Sequence, residues 1–124
     1  MPATRVVFFK GEDGTVPFLS WLAGIPEKAQ DKCVVRIERL AALGYELRRP
    51  EADFLRDDIF ELRVKHLSVN YRVLYFFRGR DAVVLSHGFS KQQDKVPPRE
   101  IEAAIARKDR FCRDPDQHTH EELL

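Results

Sequence analysis

Five side chains in the second half of the chain are of types and spacings that suit anion and proton chemistry: Arg63, Lys65, Arg72, His87 and Lys91. Phosphodiester cleavage without a metal asks for three services when an RNA 2′-hydroxyl attacks its own 3′-phosphate. A proton must be accepted, charge on the pentavalent phosphorane must be met, and the leaving 5′-oxygen must be protonated. A guanidinium suits the second service because it pairs two oxygens at once. Lys65, Lys91 or His87 suit the first and third. Two of these residues carry a structural alternative: His87 as a satisfied packing histidine, and Arg72 as the buried partner of a carboxylate such as Glu61. Around them, Ile59 to Glu100 holds eight basic and four acidic residues, making Arg78, Lys95 and Arg99 further candidates for phosphate contact. Tyr71 is a candidate for base stacking, against the commoner role of a packing residue in a strand.

Chemistry at these positions depends on strands that bring them together. Ile59 to Lys65 alternates Phe60, Leu62 and Val64 with Glu61, Arg63 and Lys65, the pattern of a strand with one buried and one wet face. A longer strand over Val69 to Arg78 follows a short connection. After the turn at Gly79-Arg80-Asp81 comes another strand, Ala82 to Phe89, and the three form an antiparallel meander. Adjacent strands lie about 5 Å apart, so the basic residues converge if the register is right and scatter if it slips by one. Upstream, Thr4 to Lys10 predicts an opening strand. Pro17 opens a short helix, and a second helix runs from Pro26 to Gly44 with Ala29, Cys33, Ile37, Leu40 and Ala41 inward and Lys28, Asp31, Lys32, Arg36 and Arg39 outward. Tyr45 to Asp58 reads as a connector, Ser90 to Val96 as a polar segment, and Pro97-Pro98 introduces a last helix to about Phe111. The expected architecture is α+β, in the order β-α-α-β-β-β-α: a mainly antiparallel sheet of about four strands with helices packed on one face.

Composition narrows the function classes. The 124 residues suit one domain, expected over 1–112, with 113–124 an acidic, frayed tail. The formal charge of +1 averages an uneven distribution: residues 1–112 carry 20 basic and 16 acidic side chains, and the tail one and four. No apolar run reaches the roughly 20 residues of a membrane helix, and Met1 to Lys10 lacks the layout of a secretory signal, so the expected compartment is the cytoplasm. Cys33 and Cys112 lack metal-ligand spacing and read as reduced thiols. His118 and His120 read as part of a solvated tail, so no metal site is expected. The GxSxG, HExxH, P-loop and GxGxxG patterns are absent from the sequence.

Several segments together carry a resemblance: the ELR at Glu61-Leu62-Arg63, YRVLYFF at Tyr71 to Phe77, HGFSK at His87 to Lys91, and the helix opening Pro98-Arg99-Glu100-Ile101-Glu102. The PEKAQDK segment and the LRRP at Leu47 to Pro50 agree with them. On these the chain resembles the phage-derived HigB-like branch of the RelE/ParE toxin superfamily. That resemblance implies a RelE-like fold and the toxin of a type II toxin–antitoxin pair. The implied activity is that of an mRNA interferase, a cofactor-free endoribonuclease that cuts translated mRNA at the A site of the 70S ribosome and leaves a 2′,3′-cyclic phosphate. It also implies a helix-turn-helix antitoxin as partner, with operator DNA reached only through that antitoxin. Residue by residue, Arg63 and Lys65 match the basic strand positions, Arg72 the arginine after tyrosine in the central strand, and Lys91 the basic residue after the last strand. An aromatic acid/base residue used by some relatives has no counterpart here, where Val96, Pro97 and Pro98 stand, which leaves Lys65, Lys91 and His87 as alternatives for base and acid. A ParE-like gyrase poison on the same fold and a non-catalytic module docking through the basic face are the other two readings.

Overall fold

A computed structural model describes residues 3–92 and 95–124. Strand β1 (Arg5–Phe9) leads through a glycine-bounded loop to α1 (Pro17–Ala23), where Pro17 occupies the first turn and needs no amide hydrogen there. Helix α2 (Glu27–Leu43) buries Ala29, Cys33, Ile37 and Leu40 at three- and four-residue spacings, and stops at Gly44, whose φ of 54° favours a residue without a Cβ. Then follow β2 (Ala52–Arg56), β3 (Ile59–His66), β4 (Val69–Arg78), β5 (Ala82–Lys91), α3 (Pro98–Arg113) and β6 (Thr119–His120). Among the described residues no helix is long and apolar enough to cross a membrane.

The fold is α+β, and the described residues form a mainly antiparallel six-stranded sheet in the order β2-β3-β4-β5-β1-β6, in which only the β1–β5 pairing is parallel. The expected meander is β3-β4-β5. Two short strands come in addition. Residues 52–56, expected as connector, pair with β3 through a turn at Asp57 and Asp58, whose φ values of 52° and 62° suit a tight hairpin and a residue type that tolerates them. The segment 113–124, read from its composition as frayed, places Thr119 and His120 against Phe9 and Phe8.

Because β4 is central and apolar on both sides, the sheet has two faces to cover. Tyr71, Val73 and Tyr75 join Leu62, Val64 and Phe8 beneath α1 and α2. Leu74 and Phe76 join Val7, Phe9 and Ile59 beneath Ile101, Ala104 and Phe111 of α3. The expected layering on one face therefore holds for α1 and α2, while α3 lies on the other. Both cysteines are free, and burial pushes the Cys33 thiol up to about 11, as suits a core side chain.

Candidate RNA-facing site

Register decides which cations meet. Arg63 of β3 stands directly opposite Arg72 of β4, which stands opposite Phe89 of β5. The next row toward the open end of the sheet is Lys65, Asn70 and Lys91. Lys91 reaches this face because β5 carries a bulge: Leu74 pairs with His87 but Tyr75 with Leu85, leaving Ser86 as the extra residue. The bulge switches the alternation, so Val83 and Leu85 point toward α1 and α2 while His87, Phe89 and Lys91 share the face of Arg72. Arg63, Lys65, Arg72 and Lys91 thus occupy two adjacent rows of one face. Lys65 and Asn70 are exposed and Arg63, Lys91 and Phe89 half-buried.

One carboxylate organises the two arginines. Glu61 is 3% exposed and stands diagonally across from Arg72 on the same face. Its Oε1 lies 2.8 Å from Arg72 Nε, and its Oε2 accepts a hydrogen bond from Arg63 Nη2 at 3.2 Å. The Arg72 contact is an ion pair with an off-line N–H, and neither Glu61 Oε1 nor Arg72 Nε is otherwise hydrogen-bonded. Arg72, 7% exposed, donates instead from Nη1 to the Tyr71 carbonyl at 3.0 Å. Burial lowers its pKa below the usual arginine value and Glu61 opposes that shift, leaving a charged guanidinium. The network continues outward: Arg63 Nη2 stands 3.6 Å from Asp53, which Arg49 holds at 2.7 Å. The buried pairing with Glu61, foreseen as the structural alternative for Arg72, is therefore present; it also holds two guanidiniums side by side at a face open toward Lys65 and Lys91. A cavity of about 290 Å³ adjoins that face, lined by Arg63, Lys65, Asn70 and Arg72 and, from the sheet edge and α2, by Glu51 and Arg36.

His87 shares the face but lies under α3. Its Nε2–H donates to Glu100 Oε1 at 3.0 Å, and its Nδ1 accepts from Arg107 Nη1 at 3.0 Å with the Ser86 hydroxyl at 2.8 Å. Burial first, then the facing Arg107, hold its pKa below the ordinary histidine range, with Glu100 opposing. A neutral ring engaged on both nitrogens fits the packing alternative.

The outlying candidates separate from the cluster. Tyr71 is 4% exposed, points beneath α1 and packs edge-on against Trp21 at 5.9 Å, an arrangement that fits the packing alternative. Arg78 lies six residues beyond Arg72 on β4, roughly 20 Å away at strand rise, with its guanidinium 5.8 Å from the Phe111 ring centre. Lys95 and Arg99 are exposed near the start of α3; residues 93 and 94, inside the polar segment before it, lie outside the described residues. His118 is 3% exposed, stacks on Phe9 at 5.2 Å and donates from Nδ1 to the Lys10 carbonyl at 2.8 Å, so it is core rather than solvated tail. Sequence reasoning named Glu61 only as an alternative partner and passed over Asn70, Phe89 and Arg107. The alternation of Glu61 with Arg63 was the available signal for the first.

A family profile described as "Phage derived protein Gp49-like (DUF891)" matches residues 20–109, the stretch that carries the whole cationic face. Over 102 residues the chain is 32% identical to the protein named "Probable endoribonuclease HigB1" of Mycobacterium tuberculosis, strain CDC 1551 / Oshkosh, covering 82% of this chain and 79% of that protein. The protein of the same name from strain ATCC 25618 / H37Rv matches to the same extent.

Proposed function

This chain belongs to the phage-derived Gp49-like family, related to HigB1 within the RelE/ParE superfamily, and from that premise we propose that it is a HigB-like toxin whose sheet face cleaves mRNA. The observation that carries this reading is the register placing Arg63 opposite Arg72, with Lys65 and Lys91 in the adjoining row. Two neighbouring guanidiniums bind the non-bridging oxygens of one phosphate and meet the charge that grows on them in the phosphorane. The 2′-oxygen forms the new bond to phosphorus while the bond to the 5′-oxygen breaks, giving a 2′,3′-cyclic phosphate and a 5′-hydroxyl. Lys65 and Lys91 lie on two sides of Asn70, roughly 10 Å apart across three strands, and serve the proton leaving the 2′-oxygen and the proton reaching the 5′-oxygen. His87, engaged by α3, fixes that helix to the sheet.

The proposed setting is the cytoplasm, where the toxin enters the A site of a translating 70S ribosome and is held inactive by a helix-turn-helix antitoxin. The test is induction of the chain alone in a bacterium, with mRNA 5′ ends mapped in the presence and absence of a translation inhibitor. Cuts inside translated frames that vanish with the inhibitor support the proposal. Growth arrest with intact mRNA rejects it and moves the target to gyrase or elsewhere.

A further inference from the structure

The charges of α2 are sorted by side. At about 100° per residue, Lys28, Lys32, Arg36 and Arg39 fall within an arc of roughly 80° beside the buried stripe, whereas Glu27, Asp31 and Glu38 cluster roughly 110° further round. The basic flank is the one turned to the cationic end of the sheet. Lys32 Nζ reaches the Lys65 carbonyl at 3.5 Å, and Arg36 lines the same cavity as Arg63, Lys65 and Arg72. The acidic side goes elsewhere: Glu38 borders a cavity with Glu121 and Glu122 near β1.

Continuity between flank and sheet comes from a gap in the edge. Strand β2 pairs with β3 only as far as Leu62, and the Glu51 carbonyl accepts the Arg63 amide; beyond that Val64 to His66 form an open edge that α2 reaches past. Within the flank Arg36 and Arg39 share one carboxylate, Glu51, at 3.7 and 2.8 Å, while Lys28 and Lys32 make no ion pair among the described residues. Lys28 and Lys32 are exposed.

We propose that the basic flank of α2 is a second RNA contact, a phosphate track that carries the strand from the sheet face, past the cavity at Arg36, along the helix to Lys28. The claim rests on the RNA reading above and adds to it an element outside the reacting centre. Lys32 to Lys28 spans about 6 Å at helical rise, close to one nucleotide step of an extended strand. The track binds backbone, so it contributes affinity and salt dependence but no base preference.

The test uses the purified full chain and a fluorescent 12-nucleotide 2′-O-methyl RNA, which binds but cannot cyclise, with affinity followed by anisotropy from 25 to 200 mM salt. Three variants are compared with wild type: Lys28→Gln/Lys32→Gln, Lys65→Gln/Lys91→Gln, and the acidic-side control Glu27→Gln/Asp31→Asn. Melting curves confirm that each is folded, and all the altered α2 side chains are exposed. Each lost phosphate contact lowers the log–log salt slope by about 0.7 for a single strand. The Lys28/Lys32 variant is therefore expected to lose about 1.4 in slope and roughly tenfold or more in affinity at 50 mM salt, with the control unchanged or tighter. A drop for the sheet variant alone leaves the proposed function standing and overturns the track. A drop for the helix variant alone overturns both the sheet reading and the track's continuity with it, and absence of salt-dependent binding by wild type overturns the track outright.

Discussion

Replacing Glu61 with leucine removes the carboxylate that, alone among the described residues, contacts both Arg63 and Arg72. The side chains of Arg72 and Glu61 are 9% and 4% exposed, so the variant leaves a guanidinium almost without solvent and without its counter-ion. Breaking a buried pair by removing one partner costs about 3–5 kcal/mol. Arg63 is 28% exposed and retains Asp53 at 3.6 Å, so its share is that of a surface contact, below about 1 kcal/mol. The expected loss for Glu61→Leu is thus about 3 kcal/mol. Adding Arg72→Met removes the stranded charge, and the double variant is expected to recover to within about 1.5 kcal/mol of wild type. The assay is urea unfolding of the four members of the cycle, followed by far-UV circular dichroism with the denaturant slope checked for constancy. A Glu61→Leu loss below about 1 kcal/mol, or losses that add within about 0.5 kcal/mol, would refute the argument that Glu61 holds Arg72 as a buried pair. The double variant also separates stability from chemistry, since it is expected to fold and to leave mRNA uncut.

His87 predicts a pH dependence with a definite sign. Its folded pKa lies below its unfolded one, so the unfolded chain takes the proton first and stability falls as pH drops from about 6.5 toward the folded value, by at most about 1.4 kcal/mol per unit. Unfolding measured from pH 7.5 to 4.5 should show this decline in wild type and a shallower one in His87→Asn; superimposable curves would contradict it. The groups facing His87 are Glu100 and Arg107 from α3 and Ser86 beside it, so Arg107→Met should ease protonation and shift the decline to lower stability cost. A Cβ at Gly88 would lie 2.2 to 2.5 Å from ring atoms of Trp21, so Gly88→Ala should destabilise by about 1–3 kcal/mol in urea titrations, and an unchanged midpoint would mean the ring moves freely. Tyr71→Phe should leave RNA affinity and cleavage unchanged, because the ring lies beneath α1; a several-fold loss would put Tyr71 back on the RNA face.

The elements with a clear period were legible before any coordinates. Helix α2 showed its three- and four-residue stripe, β3 its alternation, and β4 its two apolar faces, from which the central position of Arg72 follows. The resemblance carried by ELR, YRVLYFF and HGFSK agreed with the family match over residues 20–109. What escaped was non-local. Residues 52–56 form a strand because β3 offers an edge, while five residues of mixed polarity show no period of their own. His118 looked solvated among acidic neighbours, yet Phe9 and the Lys10 carbonyl bury it from more than a hundred residues away. The Ser86 bulge has no sequence mark, and it alone decides that Lys91 and His87 share a face with Arg72. The covering of that face by α3 then separates the two, enclosing His87 and leaving the row of Lys65 and Lys91 toward the open end.

The central claim is that the paired arginines of the sheet face break the RNA backbone. The most direct measurement is the chemistry of the new ends when purified wild type and Arg72→Ala act on mRNA in a translating ribosome preparation. A 2′,3′-cyclic phosphate upstream of each cut, a 5′-hydroxyl downstream, and a rate at least about a hundredfold lower for the folded Arg72→Ala variant are the predicted result. Equal cutting by the two proteins, or ends bearing a 5′-phosphate, would contradict it.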